Sequence, residues 1–154
     1  MANPTVDVAL CSYVLPIIED AGRFLAKLDA ACRERAFVYM GAMSADAFVD
    51  PFWRHFHGKP RRPGPTYLDA VDVLREIGMM PEVEVIEVSL RPRFKNLATA
   101  VADYHQSLLL PDEADVRREL RELLRGWLVD DAAELRVPLR SVPAAVISWP
   151  GGGR

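Results

Sequence analysis

The sequence predicts an α/β fold, a partial doubly wound sheet of about four strands. Three observations lead there. The opening run Val6-Asp7-Val8-Ala9-Leu10-Cys11-Ser12-Tyr13-Val14-Leu15 reads as a buried strand and the turn after it, apolar on both faces as a parallel strand between two helical layers must be. Strand-like runs then alternate with stretches of helical period. That first strand also comes almost at the initiator Met, with no earlier strand or glycine-rich loop to pair with it. The expected object is therefore the second half of such a sheet, the first half being where a nucleotide usually sits.

The elements follow in order. Glu19 and Asp20 open a helix through about Arg33, with Phe24, Leu25, Leu28 and Cys32 at helical spacing. Ala36-Phe37-Val38-Tyr39-Met40, ended by Gly41, is a second buried strand. After Ser44-Ala-Asp-Ala-Phe-Val49, the pair Asp50-Pro51 reads as cap and first turn of a short helix carrying Phe52, Trp53 and Phe56. Gly58 to Pro65 holds three prolines and two glycines and must be a loop. Thr66, with Asp69 three residues on, caps the next helix, whose stripe is Tyr67, Leu68, Val71, Leu74 and Ile77 and which Gly78 closes. Glu82 to Leu90 alternates acidic and aliphatic residues, as a half-exposed strand near a sheet edge does. Asn96 caps a helix with Leu97, Val101, Tyr104 and Leu108 inward; Pro111-Asp112 breaks it, and Val116, Leu120, Leu123, Leu124, Trp127 and Leu128 continue the apolar face. Val142 to Trp149 is the last strand. Residues 1–150 are expected to form one α/β domain and 151–154 a flexible tail.

Composition narrows the function classes. A chain of 154 residues, half hydrophobic and 27% charged, can bury a real core. A net charge of −3 argues against a nucleic-acid partner, because phosphate binding needs concentrated Lys and Arg; the one basic cluster is Arg54, Lys59, Arg61 and Arg62. No apolar run approaches the roughly 20 residues of a membrane span, and the start lacks a signal-peptide layout. Cys11 and Cys32 do not form a metal knuckle and read as buried thiols in a reducing cytoplasm.

Several segments together resemble the carboxyl-terminal half of a class I S-adenosylmethionine-dependent methyltransferase. Val6 to Leu15 is similar to that family's fourth strand, and Phe24-Leu-Ala-Lys-Leu-Asp-Ala-Ala-Cys32 with Arg35-Ala-Phe-Val-Tyr39 to its fourth helix and fifth strand. Trp53 to Gly58, Pro65-Thr-Tyr-Leu-Asp69 and Leu74-Arg-Glu-Ile-Gly78 resemble the segment leading to the sixth strand. Phe94-Lys-Asn-Leu97 resembles the start of an inserted helix pair found in some bacterial members. The resemblance implies a sheet whose first three strands run parallel, with the last inserted antiparallel between the second and third.

The family holds its cofactor mainly through a glycine-rich turn after the first strand and an acidic residue ending the second, where the backbone approaches the ligand and a carboxylate binds the ribose. This chain has no such turn; its one glycine cluster is Gly151 to Gly153. The resemblance sets Cys11, Ser12 and Tyr13 beside the methionine part of S-adenosylmethionine, too few contacts to hold the molecule alone. Tight binding by this chain by itself is not expected.

Other residues carry two readings each. His55 and His57 could ligate a metal, but on a helix they point about 200° apart, and surface or loop-packing roles are preferred. His105, near Asp103, reads as exposed. His57 and Tyr67 are candidate substrate contacts, since loops at this edge commonly carry specificity; the plainer reading packs Tyr67 beneath the proline loop. Ser12 has no positioned histidine or nucleophile elbow to activate it. The charges from Asp112 to Arg125, among them Arg117, Arg118, Glu119, Arg121 and Glu122, read as a solvated helix face. A bare apolar edge on the opening strand invites another chain, so a homodimer or a complementary chain is expected along Asp7 to Tyr13. The functional expectation is half of a methyltransferase, inactive alone; the alternative is a non-catalytic dimeric interaction module derived from the same fold.

Overall fold

The structure, a computed structural model, describes residues 6–43, 48–89, 92–139 and 141–152. The elements run β1 (Val6–Ser12), α1 (Ala21–Ala31), β2 (Cys32–Gly41), α2 (Asp50–His57), α3 (Tyr67–Glu76), β3 (Glu82–Val88), β4 (Arg93–Phe94), α4 (Leu97–Ser107), α5 (Ala114–Trp127), β5 (Val129–Asp131), β6 (Glu134–Arg136) and β7 (Val142–Pro150). The expected lead-in at Ser44 to Ala47, the strand end at Leu90 and the tail residues Gly153 and Arg154 lie outside the described residues. The fold is mixed α/β, and the chain divides into two compact units.

The first unit comprises Met1–Ser44, Gly64–Val88 and Pro143–Arg154. Its four-stranded sheet has the order β1-β2-β7-β3. β1 runs parallel to β2, and β7 lies antiparallel to β2 on the other side, with Ala36 opposite Trp149 and Val38 opposite Ile147. The last strand is thus inserted between the second and third, as the resemblance implies. Ala9, Cys11, Ala36, Val38, Met40, Ile147 and Trp149 join Leu25 of α1 and Ala70, Val71 and Leu74 of α3 in one core. Trp149 donates its indole N–H to Asp29 Oδ1 at 3.0 Å, so the largest buried side chain has its polar atom paired. Both cysteines are free and buried.

Local chemistry sets most boundaries. Asp20 caps α1 by accepting the Arg23 N–H at 2.8 Å. The Thr66 N–H donates to Asp69 Oδ2 at 2.6 Å, one arm of the capping box that starts α3. α3 ends where Gly78 takes φ 86°, and the Met79 and Gly78 N–H groups donate back to the Leu74 and Arg75 carbonyls at 2.9 and 3.0 Å. That left-handed turn favours glycine.

Two expectations are corrected here. The opening strand, Val6–Ser12, is followed by its turn as expected, with a 3-10 turn over Leu15–Ile17. It is not buried on both faces, however: Val6, Val8 and Leu10 are exposed, because α1 and α3 pack on the face that carries Ala9 and Cys11. The first helix stops at Ala31, so Cys32 begins β2 instead of closing a helical stripe. Helical spacing carries on past Ala31, but Cys32 lies in parallel register with Val6 and the Gly151 N–H donates to the Glu34 carbonyl at 2.9 Å. Sheet pairing overrides the local propensity.

The second unit comprises Ala45–Pro63 and Ser89–Val142. Asn96 caps α4, accepting the Thr99 N–H at 2.9 Å. α4 and α5 bury Val101, Tyr104, Leu108, Leu120 and Leu124 with Phe52 and Phe94. Burial pushes the Tyr104 phenol well above its ordinary pKa. The N-cap of α2 is Val49 and Asp50 is already in its first turn; α5 starts at Ala114, beyond Asp112, whose carboxylate accepts from Arg117. The outer face of α5 is charged and exposed as expected, with Arg118–Asp115 and Arg125–Glu122 pairs at 2.7 Å. A small sheet of order β4-β6-β5 was not expected. Its strands are two or three residues long, and the turn joining β5 to β6 uses Ala132 at φ 57° with no glycine or asparagine to announce it.

Two alanine substitutions have opposite expected signs. At Gly151 an added Cβ would sit 2.6 Å from the Cys32 carbonyl oxygen, so Gly151→Ala should lower stability by about 1–3 kcal/mol. At Gly126, within α5, nothing lies within 4 Å, and Gly126→Ala should raise it by roughly 0.4–1 kcal/mol. Urea unfolding of both variants checks the pair.

Candidate functional site

In open α/β sheets, ligands bind outside the carboxyl ends of the strands. Here that region of the first unit begins with the turn that follows β1. β1 ends at Ser12, and Tyr13 takes φ 54°, a conformation unfavourable for a bulky side chain. It is held there by its N–H, which donates to the Tyr39 carbonyl at 3.0 Å, and by an edge-to-face contact of the two rings with centroids 5.3 Å apart. Partial burial, then the hydrogen bond to Tyr39, raises the Tyr13 phenol above its ordinary pKa. Backbone strain of this sort collects at functional positions.

Beside this corner lies a cleft of about 180 Å³. Leu15, Pro16 and Ile18 form one wall, Met40 at the end of β2 the floor, and Thr66, Asp69, Ala70 and Val73 of α3 the far wall. The lining is mainly apolar, with Thr66 and Asp69 as its polar edge. The Thr66 backbone and hydroxyl both donate to Asp69 Oδ2, at 2.6 and 2.8 Å, and the backbone bond above all holds this carboxyl below its ordinary pKa.

The edge of the same sheet carries a second feature. β1 pairs with β2 alone among the described strands. Val6, Val8 and Leu10 are 42%, 52% and 68% exposed, while the alternate residues Ala9 and Cys11 are buried. One face of β1 therefore enters the core and the other presents apolar side chains to solvent, which is unusual for an unpaired edge.

The residues singled out in the sequence are distributed as follows. The Cys11 side chain is in the core, leaving only its backbone for a ligand, whereas Ser12 and Tyr13 are exposed at the strand end. Tyr67 begins α3 and packs half-buried against the core of the first unit. His57 belongs to the second unit, where its ring stacks on Trp53 with centroids 4.0 Å apart and its Nε2 contacts the Leu108 carbonyl at 2.8 Å. His55 Nε2 lies 2.8 Å from Glu119 Oε1, and His105 Nε2 lies 3.1 Å from the Pro111 carbonyl. Among the described residues, no three His, Cys, Asp or Glu side chains gather into a metal site. Sequence reasoning missed the cleft. Its signals were present in Pro16 just after the strand and in the Thr66-x-x-Asp69 box, but only the fold brings them to one place.

No family model matches the chain, and no curated protein does. Among solved structures, one from Bacillus halodurans C-125, provisionally described as a methyltransferase, is similar with a TM-score of 0.48 at 9% identity. The alignment covers 97% of this chain and 66% of that one, so this chain spans just under two thirds of that protein's length. Among the described residues, no helix is long and apolar enough to cross a membrane.

The Asp69 cap carries a pH signature. Its lowered pKa means that its contribution is complete above the unfolded carboxyl value of about 4 and is lost as pH falls through the folded value. Asp69→Asn should therefore be less stable than the parent near neutrality and equal to it in strong acid. Urea midpoints measured down the acid range check this; a gap that persists in acid would mean that the carboxylate charge plays no part.

Proposed function

We propose that this chain is a methyltransferase-type half-domain that works with a second chain, a second copy of itself or a complementary half, joined along Asp7 to Tyr13. The observation that carries the reading is the strand order β1-β2-β7-β3 with β7 antiparallel to β2. It is the order implied by the resemblance of these segments to the fourth to seventh strands of S-adenosylmethionine-dependent methyltransferases. The free edge of β1, with Val6, Val8 and Leu10 exposed, supports assembly along that strand.

On this reading S-adenosylmethionine supplies the transferred methyl group. The chain contributes the backbone at Cys11 and the side chains of Ser12 and Tyr13 beside the methionine part of the cofactor. Tyr67, in the same unit as the end of β1, is the proposed contact to the acceptor. His57 belongs to the second unit, engaged with Trp53 and the Leu108 carbonyl, and is assigned no part in it. Catalysis of this kind is mainly positioning of the acceptor in line with the sulfonium. The sequence holds no glycine-rich turn of the kind that binds the adenosine end, and the proposed reading gives those contacts to the complementary half. The reaction would take place in the cytoplasm.

A second reading, a non-catalytic dimeric module of the same fold, is favoured by the exposed apolar edge taken alone. Titration with S-adenosylhomocysteine, with the mass in solution determined alongside, separates the two. The half-domain reading expects a mass above that of a 17.2 kDa monomer and heat of binding only when the complementary chain is present. A dimer that stays silent toward the ligand with every partner favours the module. Micromolar binding by an isolated monomer would sink the half-domain reading. Leu10→Lys should reduce any assembly to monomer without unfolding the chain, because that side chain is already in solvent.

A further inference from the structure

The cleft between the end of β1 and the start of α3 has a chemistry that specifies its occupant. Its walls are aliphatic: Leu15, Pro16, Ile18, Met40 and Val73. Its volume of about 180 Å³ is close to the roughly 150 Å³ of an apolar cavity known to take up benzene. Among the described residues no Lys, Arg or His lines it, so none of them balances an anion there. The α3 N-terminus, which would otherwise attract one, is already capped by Asp69.

Among the described lining residues, the one charged group is the carboxylate of Asp69. Thr66 donates both of its bonds to Oδ2, and a carboxylate has about four acceptor sites, so capacity remains for a further donor. Asp69 itself is exposed and can be reached from solvent.

The geometry points to this cleft as a binding site for a small organic cation, a benzene-sized apolar group bearing an ammonium, with the apolar part between Met40 and Val73 and the ammonium on Asp69. The site stands on its own lining and does not depend on the methyl-transfer reading or on a bound cofactor.

Amide chemical shifts of the intact chain, titrated with benzylamine, benzyl alcohol and benzoate, test the assignment. Saturable shifts at Met40, Thr66 and Val73 are expected with benzylamine at a dissociation constant of about 1 mM, the strength suited to so small a ligand. Benzyl alcohol should bind the same residues about two- to fivefold more weakly, as loss of one exposed ion pair implies, and benzoate should not bind. Asp69→Asn should erase the difference between amine and alcohol while keeping both. Val73→Phe, which fills the cleft from a half-exposed position, should abolish binding of either. Benzoate binding as well as benzylamine, or shifts that survive Val73→Phe, would overturn the proposal. So would no saturation by any of the three, which would leave a packing void only. The wild-type comparison of the three ligands decides the question even if a variant fails to fold.

Discussion

The four-stranded sheet depends on the antiparallel insertion of β7. This strand supplies the neighbour of β2 on one side and of β3 on the other, so without it β3 has no partner in the sheet. It also delivers Ile147 and Trp149 to the core and, one residue past its end, ties Gly151 to Glu34. β2 is consequently held by both kinds of ladder, parallel to β1 and antiparallel to β7. The pairing of residues near 36 with residues near 149 is long in sequence, and such contacts close late and slowly in folding. The carboxyl ends of β1 and β2, where the cleft lies, are fixed by that closure.

The sheet was legible because each of its strands has a strong local signature: apolar on both faces at residues 36–40 and 142–149, alternating at 82–88. Thr66 with Asp69, Asn96 and Gly78 announced their helix ends through side-chain acceptors and a left-handed turn, which act within three or four residues. The misplaced boundary at Cys32 arose because the residues after Ala31 have ordinary helical spacing and only partners more than twenty residues away make them a strand. The small β4-β6-β5 sheet left no period to detect in strands of two or three residues, and the Ala132 turn lacks the usual residues. The cleft was invisible for a related reason, since no single segment contains it.

Fold and chemistry part company in this chain, as they often do. The strand order limits which architecture the chain adopts, while the activity depends on atoms at the strand ends. Those atoms are of two kinds. Tyr13, at a left-handed φ, is tied to Tyr39 by a backbone hydrogen bond and an edge-to-face ring contact, and the cleft next to them is mainly apolar, with Asp69 the one carboxylate among the described lining residues. On the proposed readings, both suit the positioning of an organic group. On the reading proposed above, the exposed half of β1 would serve contact with another chain.

The positions of the two cysteines add one consequence. Cys11 and Cys32 lie on adjacent strands in the core of the first unit, Cys32 with its Sγ donating to the Asp7 carbonyl at 3.2 Å, and the second unit contains no thiol. A thiol reagent can reach either sulfur only when β1 or β2 opens. Alkylation kinetics therefore give a clock for the first unit alone, whatever the second unit does. Trp53 and Trp127 lie in the second unit and Trp149 in the first, so tryptophan fluorescence follows both units together, and comparing its unfolding transition with the alkylation rate measures how far the two units unfold as one.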